Sequence, residues 1–300
     1  MSHAFPLLPM TVLALFGAWP VQAAGSEGQP LALSGSATAA SQYVFRGLTQ
    51  TDGKPAIQGG LDLSHRSGFY LSLALSNITW FTDQNAGLAS NPASLGSPGR
   101  VGPPLYSPNG VNSAGVELDV FCGRKWAFAK DWTLDLGLYR YLYPGNFDNQ
   151  GAYRNPATTE AYLGLSYSWT SVKYSQVISA NTFGVNNSRG TGYLEASLNI
   201  PVGARGWSIQ AHAGRTRYLT KGNPDYFQNG PVLTGDNAFF SYSDFRLGIS
   251  TEFKGCTVSL AGTHADTRAR AADHDVTVYE NATGRNIGGR RVSISMVKNF

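Results

Sequence analysis

A two-residue alternation of apolar and polar side chains recurs along the chain from about residue 30 onward. The clearest case is Arg291–Phe300, in which Val292, Ile294 and Met296 alternate with polar residues. Such alternation places successive side chains on opposite faces of a β-strand. Comparable segments predict about twelve strands in all. The first of them is predicted to run from Leu31 to Gly47, so the chain is expected to be all-β.

The first segment is an apolar stretch, Ala4–Ala24, that is long enough to suggest a transmembrane helix. Three prolines interrupt it, and it ends in the small-residue pattern Val21–Ala24 before a polar spacer, Gly25–Gln29. This pattern predicts a secretory signal peptide, residues 1–24, and a single domain over residues 25–300. An uncleaved anchor is the alternative, because no Lys or Arg precedes the apolar run. Later in the chain no comparable apolar run occurs, so a membrane-spanning domain would have to cross as strands.

The connections between the predicted strands alternate in length, short and then long. The short ones are expected at Arg66–Gly68, Trp126–Asp131, Trp169–Thr170, Pro201–Gly206 and Lys254–Gly255, and the long ones at Thr79–Asn112, Pro144–Pro156, Asn181–Gly190, Tyr218–Ala238 and Asp266–Gly289. In an up-and-down sheet this alternation collects all short links at one end and all long links at the other. The chain is therefore predicted to be a transmembrane antiparallel β-barrel with short periplasmic turns and long extracellular loops. A β-sandwich, the alternative, offers no reason for such sorting.

Charged residues make up only 14% of the chain, against about a quarter in soluble domains. This deficit agrees with an exterior built from the apolar side of each strand. The formal net charge of +4 comes from scattered basic residues rather than a basic stripe interleaved with aromatics. Nucleic-acid binding is therefore not expected.

Charged residues on the polar side of the strands are the candidate functional residues, because a hydrated lumen tolerates charges that a dry core would not. These pore-lining candidates are Arg46, Asp62, Glu117, Asp119, Asp135, Glu160, Glu195, Asp244 and Arg246, with Lys173 undecided because its strand has a weak pattern. Their acidic excess would favour cations in an open channel. Alternatively, the charges neutralise one another in a network that stiffens or plugs the barrel. For Arg46 the alternatives are a position at the channel mouth and a structural salt bridge.

An enzyme would need a base, and histidine is the usual one for acyl transfer. Only four histidines follow the predicted signal peptide, namely His65, His212, His264 and His274, and His212 alone is predicted to point inward from mid-strand. Neither a Gly-x-Ser-x-Gly nor a His-Glu-x-x-His motif occurs. We therefore expect no catalytic residues, metal ligands or cofactors. An outer-membrane hydrolase and a structural or adhesive barrel acting through its loops remain alternatives to a channel.

The two cysteines, Cys122 and Cys256, fall on the outward side of about the fourth and eleventh strands. These strands are not neighbours in a twelve-stranded barrel, and disulfide geometry cannot span the gap. Both are expected to remain free.

A specific motif follows the predicted signal peptide: Ser41–Gly47 ends in Phe-Arg-Gly, and Thr49–Gly60 contains Gln-Thr-Asp and Pro-Ala-Ile-Gln-Gly-Gly. Together with Glu117–Asp119 and Tyr141–Gly145, this motif resembles the TorF family of outer-membrane porins. The resemblance implies a signal-bearing β-barrel with a channel role in the outer membrane of a Gram-negative bacterium. Two long loops, Thr79–Asn112 and Asp266–Gly289, exceed what that family leads us to expect and could fold inward.

The last strand is expected to close the barrel, with Phe300 in the interfacial aromatic girdle as an assembly signal. Lys298 falls on the apolar side of this strand and is expected to extend its amine to the periplasmic interface. The implied partners are outer-membrane lipid, the barrel-assembly machinery acting on the last strand, and small solutes or ions that diffuse passively. The pattern leaves the oligomeric state open.

Overall fold

The computed structural model describes residues 30–83, 113–146, 156–185, 187–203, 206–219, 237–267, 279, 281 and 285–300. Its strands are β1 (Leu31–Ala40), β2 (Val44–Phe45), β3 (Leu48–Thr49), β4 (Ala56–His65), β5 (Phe69–Asn77), β6 (Val116–Ala129), β7 (Trp132–Leu142), β8 (Thr158–Tyr167), β9 (Thr170–Val177), β10 (Gly192–Val202), β11 (Trp207–Arg217), β12 (Tyr242–Phe253), β13 (Cys256–Ala265) and β14 (Arg291–Asn299). A short 3-10 helix, Asn237–Phe240, precedes β12. The predicted signal peptide lies outside the described residues.

Twelve of these strands form one closed antiparallel barrel, in which β1 pairs with both β4 and β14. At the seam, Ser36 pairs with Asn299 and Ala40 with Ser295. Every other barrel strand pairs with its neighbours along the chain. The predicted all-β barrel of twelve strands is confirmed. Within the described residues, no helix is long and apolar enough to cross a membrane.

The exterior of the barrel is apolar and its interior is polar. In β5, for example, Phe69, Leu71 and Leu75 are exposed while Ser72 and Ser76 are buried inside. Leu33 on β1 is 72% exposed and Leu247 on β12 is 66% exposed. Because so much outward apolar surface would be costly in water, the wall suits a bilayer and the predicted orientation of the strand faces is confirmed.

The connections sort by length as predicted, with the short ones at one end of the barrel and the long ones at the other. One boundary was predicted wrongly. Strand β6 continues through Arg124 and Lys125 to Ala129, whereas the sequence suggested a turn from Trp126. Both basic residues therefore belong to the barrel wall, since β6 keeps its pairing with β7 over this stretch.

The first strand was also predicted wrongly, because β1 ends at Ala40 rather than at Gly47. Residues 41–55 leave the wall and form a separate segment around the β2–β3 hairpin. The tip of this hairpin is Arg46–Gly47, which turns the chain with φ values of +45° and +77°. Tyr43 and Thr51 in this segment have no exposed surface. We call residues 41–55 the lumen hairpin, because its side chains contact the inner faces of the barrel strands.

Candidate functional site

The tip of the lumen hairpin reaches the inner wall at β12 and β13. A Cβ atom on Gly47 would lie 2.6 Å from Cβ of Asp244 and 2.9 Å from Cβ of Ala265. At the base of the hairpin, the carbonyl of Gln50 accepts hydrogen bonds from the backbone of Thr79 and Trp80, just after β5. The segment therefore crosses part of the lumen and is held at both ends.

Arg46 is the strongest anchor of the lumen hairpin. Its guanidinium donates two hydrogen bonds to the carboxylate of Glu160 on β8, at 2.8 and 2.6 Å. The same group lies 4.1 Å from the ring centre of Tyr193 and 4.9 Å from that of Phe45. Both partners of the ion pair are buried, with side chains 8% and 1% exposed. Of the two alternatives for Arg46, the geometry favours the structural salt bridge.

A second anchor joins Tyr43 to the acidic pair on β6. The Tyr43 hydroxyl donates to Oε1 of Glu117 at 2.6 Å. Burial, followed by the nearby carboxylates of Glu117 and Asp119, raises the pKa of Tyr43 well above its ordinary value. The hydroxyl is therefore a dependable donor at neutral pH. Asp119 is 1% exposed, and its Oδ1 atom has no hydrogen-bond partner in the described residues.

Aromatic side chains fill the space between the lumen hairpin and the β6–β8 wall. Phe45 packs against Tyr141 and Phe183, with ring centres 5.6 and 5.7 Å apart. Beyond them, Tyr139 stacks on Tyr162 at 4.5 Å and meets Phe121 edge-on at 4.6 Å. The sequence analysis missed this cluster. Its signal was present in β7, where tyrosines rather than small residues take the inward side.

A chain of polar contacts lines the adjoining wall, on β9 to β12. Lys173 Nζ lies 2.8 Å from Oε1 of Glu195, and Glu195 Oε2 lies 3.7 Å from Nδ1 of His212. His212 Nε2 lies 3.1 Å from Oδ1 of Asp244, while its Nδ1 lies 2.9 Å from Oγ of Ser197. The structure thus fixes Lys173, the undecided residue, as inward-facing. Most charges on this wall are engaged with one another.

The remaining candidates are Asp135, Asp62 and Arg246, which differ in the partners they have in the described structure. Asp135 accepts a hydrogen bond from Tyr70 at 2.9 Å and lies 3.8 Å from Lys125 Nζ, a lumen cation that was not among the predicted candidates. Asp62 accepts a hydrogen bond of 2.5 Å from Ser72. Among the described residues, Arg246 has a hydrogen bond only with Gln210, to which it donates at 3.4 Å.

The residues predicted to line the lumen all face the interior, but they do not form a single site. Glu160 and Arg46 meet at the lumen hairpin, whereas Glu195 and Asp244 meet through His212. Of the other histidines, His65 lies at a short turn, where it contacts Ser67, and His274 lies outside the described residues. In the described part of the chain, no group of three or more His, Cys, Asp or Glu is placed to hold a metal ion.

Comparison with solved structures finds other barrels. The structure titled "KdgM porin" shares 10% identity with a TM-score of 0.46, over 89% of this chain and 99% of that one. The structure titled "NanC porin structure in rhombohedral crystal form" shares 10% identity with a TM-score of 0.45, over 89% and 98%. OccAB3 of Acinetobacter baumannii shares 9% identity with a TM-score of 0.39, over 91% and 65%.

Sequence comparison matches this chain to a family model but to no curated protein. The family model described as a bacterial protein of unknown function, Gcw_chp, matches residues 23–300. This match includes the lumen hairpin, every barrel strand and Phe300. The chain belongs to the Gcw_chp family.

Proposed function

We propose that the protein is an outer-membrane channel for passive diffusion of small solutes or ions, with the lumen hairpin as its constriction. The observation that carries the proposal is the buried ion pair of Arg46 with Glu160, which ties the hairpin to β8 inside a closed barrel. A barrel that served only as a scaffold would have no need of a segment fixed across its lumen. The apolar exterior gives such a channel its place in a bilayer.

We also propose a weak preference for cations. Inward carboxylates outnumber inward permanent cations in the described lumen: Asp62, Glu117, Asp119, Asp135, Glu160, Glu195 and Asp244, with Glu252 at the short-turn end, against Arg46, Lys125, Lys173 and Arg246, with Arg291 at the long-loop end. Glu117 and Asp119 have no basic partner in an ion pair among the described residues. Both side chains are buried, so their charges would attract cations through the electric field in the lumen rather than by direct contact with a permeating ion. The same mechanism would make this part of the lumen repel anions.

Planar-bilayer recording of the refolded full-length protein tests both statements. We expect stepwise conductance, and a reversal potential in a KCl gradient that moves toward zero in Asp119→Asn and Glu117→Gln. Asp131→Asn is the matched control, because Asp131 is exposed in the short turn between β6 and β7. Silence at all voltages would refute the channel, whereas conductance with an unchanged reversal potential would refute only the cation preference.

The biological setting follows as part of the proposal. The chain would be exported with loss of residues 1–24, and β14 would be recognised by the barrel-assembly machinery before insertion among outer-membrane lipids. We place it with the TorF family of porins on the motif in Ser41–Gly60. In this fold, residues 41–55 of that motif form the lumen hairpin, whereas residues 56–60, Glu117–Asp119 and the start of Tyr141–Gly145 belong to wall strands.

A hydrolase is the second candidate, favoured by one observation. Ser197, His212 and Asp244 form a continuous chain of contacts at 2.9 and 3.1 Å, as a nucleophile, base and orienting carboxylate would. His212 also lies 3.0 Å from the Tyr193 hydroxyl, which a purely structural network explains equally well. Hydrolysis of phospholipid or peptide that is lost in both Ser197→Ala and His212→Ala would establish the enzyme. Absence of hydrolysis by the wild-type protein would exclude it for those substrates.

A further inference from the structure

Arg246 lacks an anionic partner among the described residues, whereas the inward cations Arg46, Lys125 and Lys173 each pair with a carboxylate. Arg291, at the start of β14, also lacks a carboxylate there, but it donates to the backbone carbonyls of Asn286 and Ile287. Within the described residues, Arg246 forms one long hydrogen bond, from Nη2 to Oε1 of Gln210 at 3.4 Å, and its Nε is buried without a partner. An unpaired guanidinium in a partly dehydrated wall is costly, and a bound anion would remove much of that cost.

The surroundings of Arg246 offer further groups to a ligand. Across the sheet, Arg246 is in register with His212 on one side and Thr263 on the other. The Thr263 hydroxyl is buried and has no hydrogen-bond partner in the described residues. His212 is already engaged with Ser197 and Asp244, so it does not compete for the guanidinium.

The inward residues on the periplasmic side of Arg246 are small. The next inward positions on β12 and β13 are Gly248 and Ala261, which are paired in register and have little or no side chain, and Ala261 is buried. On the extracellular side, the adjacent inward residue Asp244 lies under the tip of the lumen hairpin at Gly47. A solute that reached Arg246 would therefore sit directly below the constriction.

We propose that Arg246, with Thr263 and Gln210, is a binding subsite for the carboxylate group of a small organic anion. The planar guanidinium matches a carboxylate, which can accept two parallel hydrogen bonds from it. The threonine hydroxyl and the Gln210 amide can bind either the carboxylate or a neighbouring hydroxyl on the solute. The proposal rests on the channel function for its role, since the subsite would hold a solute at the narrowest part of the lumen.

A local anion subsite is compatible with an acidic lumen. The carboxylates Glu117 and Asp119, which have no basic partner among the described residues, lie on β6, whereas Arg246 lies on β12, which is several strands away around the barrel. Weak overall cation preference and specific capture of a carboxylate would then arise from different walls. A solute that carries a positive and a negative group could bind at both walls.

The test measures binding directly and does not depend on conductance. The full-length protein, refolded in detergent with ¹⁵N at arginine Nε, is titrated with sodium acetate and sodium gluconate at constant ionic strength set by NaCl. The Arg246 signal is assigned by its loss in Arg246→Gln. We expect this signal to shift saturably with either carboxylate and to remain unchanged with sorbitol. A heat-modifiable band in each sample confirms that the barrel is folded.

Two variants test whether binding depends on the guanidinium of Arg246 and the hydroxyl of Thr263. Calorimetric titration with gluconate should show about a tenfold loss of affinity in Arg246→Lys, which keeps the charge but loses the planar donor pair. Thr263→Val should bind about fivefold more weakly. Arg215→Gln is the control, because Arg215 is exposed on the neighbouring strand β11.

Three outcomes would overturn the subsite. The first is an Arg246 signal that does not shift with acetate or gluconate. The second is a shift that equal concentrations of chloride reproduce. The third is an affinity for gluconate that is the same in Arg246→Lys and Arg215→Gln. If carboxylate binding fails these tests while the protein still gives stepwise conductance, the subsite is rejected and the channel function is retained. Binding without conductance would reject the channel and retain the subsite as an anion-binding site.

Discussion

The ring of Phe300 lies over Gly35 on the outer face of the barrel. A Cβ atom on Gly35 would lie only 2.5 Å from Cε2 of that ring. The main chains of the same two residues exchange hydrogen bonds, from Gly35 N to Phe300 O at 2.8 Å and from Phe300 N to Gly35 O at 3.0 Å. Gly35 is buried on an otherwise exposed face because the ring covers it. Phe300 therefore holds the seam between β14 and β1.

Removing Phe300 should impair closure of the barrel while leaving export intact. The deletion removes the two main-chain hydrogen bonds between Phe300 and Gly35, each worth about 1 kcal/mol net, together with the contact of the ring on Gly35. The measurement is the heat-modifiable fraction in the outer membrane relative to total exported protein. Phe300→Tyr, which keeps the ring, should behave as wild type. A normal heat-modifiable band after the deletion would contradict this role.

Neighbouring Lys298 supports the predicted direction of the strand. Its side chain is outward and exposed, and Nζ donates to the carbonyl of Gly255 at 3.1 Å in the short turn before β13. The amine therefore extends to the short-turn end of the barrel, and its position at the periplasmic interface stays a prediction. There a lysine on the apolar side would be tolerated, because its methylene stem covers apolar surface while its charge reaches water.

Cys122 and Cys256 should remain free thiols even under oxidising conditions. They lie on β6 and β13, which do not pair, and both are free in the structure. Thiol titration of the denatured, non-reduced protein should therefore find both. A shift in mobility on reduction, or loss of both thiols without alkylation, would show a bond between them and contradict the strand order.

The wall could be predicted from the sequence because alternation and connection length are local signals. Phe69 to Ser76, for instance, alternates large apolar residues with Tyr70, Ser72, Ala74 and Ser76, and the structure keeps that phase. Trp126 shows the limit: the apolar side of β6 is interrupted by Arg124, and a turn was predicted from Trp126 where pairing with β7 continues.

The lumen hairpin could not be predicted because its residues carry the same signals as a strand and a turn. Tyr43–Phe45 is apolar and aromatic, and Asp52–Gly53 is an ordinary turn pair. What draws this segment inward is its contact with Glu160, Glu117 and the tyrosines of β7, which are distant in sequence. Such pairing is not visible in local periodicity. The structure places the candidate charges inside the barrel, and their partners were not predicted.

Breaking the Arg46–Glu160 pair should release the hairpin and raise conductance. Either single change, Arg46→Gln or Glu160→Gln, leaves a buried charge unpaired, at a cost of about 3–5 kcal/mol. The double variant should cost less than the sum of the two, because neither charge remains. Single-channel conductance and proteolysis of residues 41–55 measure the release. Additive effects in the double variant would argue against direct coupling.

Gly47→Ala should displace the hairpin tip, whereas Gly53→Ala should not. Both glycines have nearly the same positive φ, +77° and +79°, so the backbone cost of adding a Cβ is similar, at about 1 kcal/mol. Only at Gly47 does the new atom meet the wall, 2.6 Å from Cβ of Asp244 and 2.9 Å from Cβ of Ala265; at Gly53 no heavy atom lies within 4 Å. We expect higher conductance and faster cleavage of residues 41–55 in Gly47→Ala alone. Equal behaviour of the two variants would mean that the tip does not press on β12 and β13, and the constriction would have to lie elsewhere.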